Sequence, residues 1–313
     1  MSGVPVNKSE TELIRRLRAR LDRPAVPPGL PQDLVDDMAL LAPGETPLLW
    51  TVDMLMDGVD FESARHSWHD IGRKAMGVNL SDCAAMAAQP VAALCAVSLN
   101  DTLSLDDALA LHDGARDLGL RYGCPIVGGD TNSWAAPTVI SITVAARPEP
   151  GRRPVCRDGA RLGDRIYVTG PLGGSLLGRH MRFEPRIETA LAINRTLRPG
   201  AMIDVSDGLA IDLWRVLEAS GCGATVDAAS LDAATHADAH TLASQDGRSA
   251  REHALYDGED FELIVVLPSA VPERDAAALG LLPLGRIDRS EGLVLLERGN
   301  EHPIERRGWE HFR

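Results

Sequence analysis

The 313-residue chain has no apolar run approaching the ~20 residues that a membrane-spanning helix requires, so no bilayer span is expected. Its five cysteines, Cys83, Cys95, Cys124, Cys156 and Cys222, are scattered, with no C-x-x-C pair and no dense framework. That excludes a secreted disulfide scaffold and fits a reducing cytoplasm. Positive charge is scarce: 32 Lys and Arg stand against 45 Asp and Glu, a formal net charge of −13. Nucleic-acid binders concentrate basic residues to neutralise phosphates, so that class is excluded. No basic segment followed by a long apolar stretch opens the chain, and ELIRRLRARL reads as an amphipathic, Arg-rich helix rather than a signal peptide. There is no Walker A loop and no G-x-S-x-G nucleophile elbow.

What is present is a regular alternation of apolar and helical segments. RPAVPPGLPQ carries four prolines and reads as an extended linker leading to Asp36 and Asp37. PLLWTVDMLM predicts a strand, and DIGRKAMGVNLSDCAAMAAQP predicts a helix that Pro90 would stop. VAALCAVSL predicts a buried strand, LDDALALHDGARDLGLRYG a helix, CPIVGGD a strand ending in a glycine turn, and TVISITVAARPEP a further strand. The Pro-, Gly- and charge-rich RPEPGRRPVCRDGARLGD is the best linker, which places a domain boundary near residue 148. The second half reads as strand RIYVTG, helix around GSLLGRHM, strand AMIDVSD, helix LAIDLWRVLEASG, strand ATVDAASL and strand FELIVVLP. The expected fold class is α+β, with two mixed α/β domains spanning 1–148 and 149–313.

Asp36, Asp37, Asp53, Asp82, Asp130, Asp204 and Asp207 all follow apolar, strand-like segments. Open sheets gather ligands at strand ends. Magnesium prefers hard oxygen ligands and commonly bridges one or two carboxylates to nucleotide phosphates, so several such positions imply more than one ion. Each aspartate alone could equally cap the next helix; the set is harder to explain that way. GPLGGS (170–175) could offer backbone N–H groups to a phosphate, although a plain turn is the simpler reading. Gly128, Gly129 and Asp130 would let the backbone approach a nucleotide while Asp130 reaches its metal. His236 and His240, like His66 and His69, lack the further ligands a zinc site needs.

Taken in order, VDDMALL, TVDMLMDGVDF, DIGRKAMGVNLSDCAAM, VGGDTNS, CRDGARLGDRIYVTG, MIDVSDGLAIDL, YDGEDFEL and RGWEHF resemble the motif series of thiamine-monophosphate kinases, over nearly the whole chain. The resemblance implies an aminoimidazole-ribonucleotide synthetase-like fold whose N-terminal domain pairs in a homodimer. It implies that Asp37, Thr51, Asp53, Asp82, Asp130, Asp204 and Asp207 hold Mg²⁺ ions around ATP, and that Gly129, Arg157 and Ser206 contact the nucleotide. Asp60, Glu259 and Trp309 would face thiamine monophosphate, the Trp309 ring stacking on its flat cationic heterocycle. The implied reaction is direct transfer of the γ-phosphoryl group of ATP to the acceptor phosphate, with no covalent nucleophile on the protein and charge neutralisation as the main catalytic device.

Three positions depart from the family pattern. Val35 replaces a glycine before the paired aspartates, and Val52 replaces a hydroxyl residue between Thr51 and Asp53. Asp60 replaces a histidine, exchanging a donor to phosphate for an acceptor of like charge. These leave room for a related ATP-dependent enzyme with another small acceptor, or for a nucleotide-binding protein without turnover. A selenophosphate synthetase-like enzyme would carry a reactive Cys near the N-terminus, and a hydrogenase-maturation relative a Cys at the C-terminus; neither is present.

Overall fold

The computed structural model describes residues 39–41 and 47–310. Val35, Asp36, Asp37, the Arg-rich helix and the proline-rich linker lie outside the described residues. The described strands form two sheets. The first contains β1 (Ala39–Leu41), β2 (Leu48–Met56), β3 (Ala88–Asn100), β4 (Ile126–Trp134) and β5 (Val139–Pro148), in the order β1-β2-β5-β3-β4. All its pairings are antiparallel except β3 with β4.

Two helices, α1 (Trp68–Ala85) and α2 (Leu105–Arg121), cross each other beside this sheet. Ser67 and Ser104 start them, each side chain accepting from the backbone N–H three residues on, the usual N-cap bond. The crossing is close because each helix places a glycine there: a Cβ on Gly72 would lie 1.8 Å from the Leu111 carbonyl oxygen, and one on Gly114 would lie 1.9 Å from that of His69. α1 ends at Ala85, and Pro90 does not stop it: β3 already starts at Ala88, so Pro90 sits inside a strand. Likewise β4 runs through the expected glycine turn to Trp134.

The second sheet contains β6 (Arg165–Val168), β7 (Ala201–Asp204), β8 (Gly223–Asp227), β9 (Leu263–Leu267), β10 (Leu282–Asp288), β11 (Leu293–Glu297) and β12 (Asn300–Pro303). Its order is β12-β11-β8-β10-β6-β9-β7. Its helices are α3 (Ile187–Thr196), α4 (Leu209–Ser220), α5 (Ala228–Ala233), α6 (Ala237–Asp246), α7 (Ala250–Tyr256) and α8 (Glu273–Ala278). The helix expected around GSLLGRHM is two short 3₁₀ turns, Ser175–Leu177 and Arg179–Met181, separated by Gly178 at φ 127°. ATVDAASL is half strand and half helix, since Asp227 caps α5 through the Ser230 N–H.

Strand β9 explains how the sheets share one interior. Every residue of its LIVVL sequence is buried. Leu263, Val265 and Leu267 pack into a core with Ile71, Met76 and Leu80 of α1, whereas Ile264 and Val266 point into the other core with Leu213 and Leu217 of α4. A strand buried on both faces is apolar throughout rather than alternating. α1 is therefore held against both sheets, and it carries side chains that reach into the site between them.

Candidate active site

Period-two alternation sorts the residues of β2. Leu49, Thr51 and Leu55 are buried, whereas Val52 and Met54 are each 60% exposed. Thr51 and Asp53 thus share the face toward α1, where the Thr51 hydroxyl donates to the Asp82 carboxylate. A hydroxyl at position 52 would project from the opposite face, so Val52 leaves the Thr51–Asp82 contact intact. One residue earlier on α1, Ser81 Oγ donates to Asp204 Oδ2 at 2.5 Å, and both residues are buried.

Asp53, Asp60, Ser206, Asp207, Glu259 and Trp309 line one cavity of about 420 Å³. The turn after β7 is built to present its carboxylate. Buried Asp212 in α4 accepts from the Asp207 and Gly208 N–H groups at 3.0 and 3.1 Å, and Arg215 bridges Asp212 at 2.5 Å and Asp207 at 2.6 Å. Burial and the neighbouring Asp207 push the Asp212 carboxyl well above its usual range, with Arg215 opposing. Trp309 is anchored to the same turn by its N–H, which donates to the Asp207 carbonyl at 2.9 Å, while 52% of the residue stays exposed.

Glu259 reaches the cavity through a strained backbone. It has φ 53° and Phe261 φ 51°, left-handed values that cost ~1–3 kcal/mol each in non-glycine residues. Their N–H groups donate to Ser206 and Val205 carbonyls at 2.7 and 2.9 Å, which holds the segment in that shape. Burial raises the Glu259 carboxyl above its usual range, and Lys74 opposes the rise. Lys74 Nζ lies 2.6 Å from Glu259 Oε1 and 2.5 Å from the Asp60 carbonyl, with the lysine 1% exposed. The Asp60 carboxylate accepts from the Met56 N–H at 2.7 Å.

Several expectations are corrected. Among the described aspartates of that set only Asp204 ends a strand, with Asp207 in the turn that follows; Asp53 and Asp130 lie inside strands and Asp82 lies inside α1. Asp130 is not brought to the cavity within one chain. Its cross-strand row runs through Ala96 and Ser141 to Met54, which puts it on the uncovered sheet face, about three strand spacings or ~14 Å from β2. Gly129 stands in mid-strand, where a Cβ would lie 1.8 Å from the Cys95 carbonyl oxygen; the close approach it permits is to β3. Arg157 is half-buried in the loop before β6, within electrostatic reach of Arg215 but not on the cavity wall. Two amides of GPLGGS are already engaged: Gly173 and Gly174 donate to Asp260 and Asp257 at 2.8 and 3.3 Å. His236 Nδ1 accepts from the Asp238 N–H and caps α6.

Lys74, Ser81 and Arg215 were not among the residues singled out from the sequence. Lys74 had a signal, since it falls at helical spacing between the apolar Ile71 and Val78. Among the described residues no group of three or more His, Cys, Asp or Glu side chains converges as a ready-made cage. The donors are instead carboxylates and hydroxyls presented singly or in pairs around an open cavity. That chemistry fits Mg²⁺ arriving with nucleotide phosphates, which needs only one or two carboxylates from the protein.

Two mixed sheets, a helix shared between them and a carboxylate-lined cavity define an AIR synthase-like protein. The family model for the AIR synthase related protein, N-terminal domain, matches residues 35–147. A thiamine-monophosphate kinase of Rhodopirellula baltica is 45% identical over 212 residues, covering 68% of this chain and 66% of that protein. The thiamine-monophosphate kinase of Escherichia coli strain K12 is 33% identical over 311 residues, covering 88% and 90%. The solved structure described as AaThiL complexed with AMPPCP and TMP superposes with a TM-score of 0.83 at 28% identity, covering 97% of each chain. The chain belongs to the thiamine-monophosphate kinase family.

Proposed function

We propose that this protein transfers the γ-phosphoryl group of ATP to the phosphate of thiamine monophosphate, yielding thiamine diphosphate and ADP in the cytoplasm. One observation carries the reading: Asp53, Asp60, Ser206, Asp207, Glu259 and Trp309, drawn from both sheets, surround a single cavity. They are the residues to which the family resemblance gives metal, nucleotide and acceptor roles.

In this reading Trp309 offers a half-exposed aromatic face, and Glu259 a carboxylate, to the cationic heterocycle of the acceptor. Ser206, beside Asp207 in the turn after β7, would contact the nucleotide. Magnesium, when bound, supplies positive charge that screens the two anionic groups. Asp53, Asp82, Asp204 and Asp207 would hold it, with Thr51 orienting Asp82 and Ser81 orienting Asp204. Asp37 and Asp130 would complete the set, and Gly129 and Arg157 would contact the nucleotide. Asp60 is compatible with an anionic acceptor because its carboxylate is turned to the Met56 N–H.

A homodimer is part of the proposal. Val52, Met54 and Leu94 are 45–60% exposed on the uncovered face of the first sheet, and nearly all of β4 is exposed. Covering that face with a second copy would bury apolar surface and enclose Gly129 and Asp130. The boundary near residue 148 is supported by the first sheet ending at Pro148.

The test is to incubate purified protein with Mg-ATP and thiamine monophosphate and to separate the products by anion exchange. Equal amounts of thiamine diphosphate and ADP, lost in Asp130→Asn, are expected. ATP bound or consumed without thiamine diphosphate would overturn the assignment and redirect it to another acceptor or to a protein without turnover.

A further inference from the structure

The cavity wall, among the described residues, carries five carboxylates, Asp53, Asp60, Asp207, Asp257 and Glu259, and a single cation, Lys74. Asp207 is paired with Arg215, and Asp257 with Arg248 and His253, all from the second half of the chain. The Asp60 carboxylate is engaged by the Met56 backbone. Glu259 takes its counter-charge from the other side of the cavity, from Lys74 of α1.

Burying a lysine is costly, and apolar side chains of similar volume often replace buried ion pairs at no loss of stability. Packing therefore does not explain Lys74. Its two contacts do share a purpose: one bond goes to the Asp60 carbonyl, the other to a carboxylate displayed from a left-handed backbone, so Lys74 ties two cavity-lining segments together. We propose that Lys74 is a positioning residue for the acceptor, pinning the Glu259 carboxylate where the cationic ring must dock. The Lys74–Glu259 pair, rather than Glu259 alone, then sets acceptor affinity. This rests on the reading that thiamine monophosphate is the acceptor.

The experiment measures steady-state kinetics of wild type, K74M, K74R, E259Q and K74M/E259Q, with ATP and thiamine monophosphate varied separately. The expected result is a KM for thiamine monophosphate at least about tenfold higher in K74M. It should exceed the change in kcat, with KM for ATP within about twofold and partial recovery in K74R. E259Q should show the same rise, and the double variant should be no worse than the poorer single one, because both changes break one pair. K74M kinetics within about twofold of wild type, or effects that multiply in the double variant, would overturn the inference while leaving the kinase reading intact. A wild type that forms no thiamine diphosphate would overturn both. Should K74M fail to fold, K74R and E259Q decide the question, since each keeps the volume of the pair.

Discussion

Ser81 on helix α1 donates a 2.5 Å hydrogen bond to Asp204 at the end of β7, joining the helix of the first sheet to a strand of the second through two buried groups. Charge-assisted bonds of this kind are stronger than neutral ones, and a buried carboxylate deprived of a donor loses ~1–3 kcal/mol. Ser81→Ala is therefore expected to lower the unfolding midpoint and weaken Mg-ATP binding together. Calorimetry with and without Mg-ATP checks this; an unchanged nucleotide affinity would remove Ser81 as the group that orients Asp204.

Gly129→Ala addresses a different contact. The new methyl would lie 1.8 Å from the Cys95 carbonyl oxygen, so β4 must move away from β3. The expected cost is ~1–3 kcal/mol, as for other overpacked sites. It should appear in urea unfolding without nucleotide, and an unaltered midpoint would show that the edge strand yields freely.

Leu94→Asp places a charge on the uncovered sheet face at a residue already 45% exposed, so the single chain should tolerate it. Sedimentation velocity is expected to give a dimer for wild type and a monomer for this variant. A monomeric wild type would refute the proposed dimer.

The pH dependence has two opposing parts. Burial, with Lys74 nearby, lowers the His180 pKa from 6.5 to about 4. Between those values the unfolded chain binds more protons than the folded one, so this contribution is present above pH 6.5 and is lost as pH falls through the window. Burial raises the Asp260 pKa from 3.8 to about 7, against the Gly173 N–H and Arg179. There the folded state binds more protons, so stability is gained as pH falls. His180→Gln removes the first contribution alone. Relative to wild type, the variant should gain on the order of 2 kcal/mol between pH 7 and pH 5, measured by urea unfolding at each pH. A constant difference would contradict the assignment.

Much of this architecture was legible in the sequence where one physical cause dominated. FELIVVLP was legible as a strand and LDDALALHDGARDLGLRYG as the helix α2. The expected strand-end aspartates failed because an apolar run followed by Asp does not reveal where an element stops. Asp53 continues β2, and Asp82 continues a helix whose small residues allow close packing. The 3₁₀ turns at Ser175 and Arg179 depend on Gly178 adopting a conformation that only the folded chain displays. Lys74 escaped because its meaning depends on Glu259, 185 residues away, which no local pattern connects to it. Asp130 was legible as a functional candidate, but the face it occupies follows from sheet register.

Helix α1 bears Lys74 toward Glu259 and Ser81 toward Asp204, seven positions apart on one continuous helix. At 1.5 Å per residue that is a separation of about 10 Å, close to two full turns. The helix thus works as a fixed ruler: both ends point the same way, and neither can shift without the other. A single inserted residue between them would swing one end by about 100° and detach it from its partner, whereas two added turns would keep the direction and lengthen the gap. The distance between the Glu259 and Asp204 contacts is in this sense written into one helix, and it is inherited or lost as a unit.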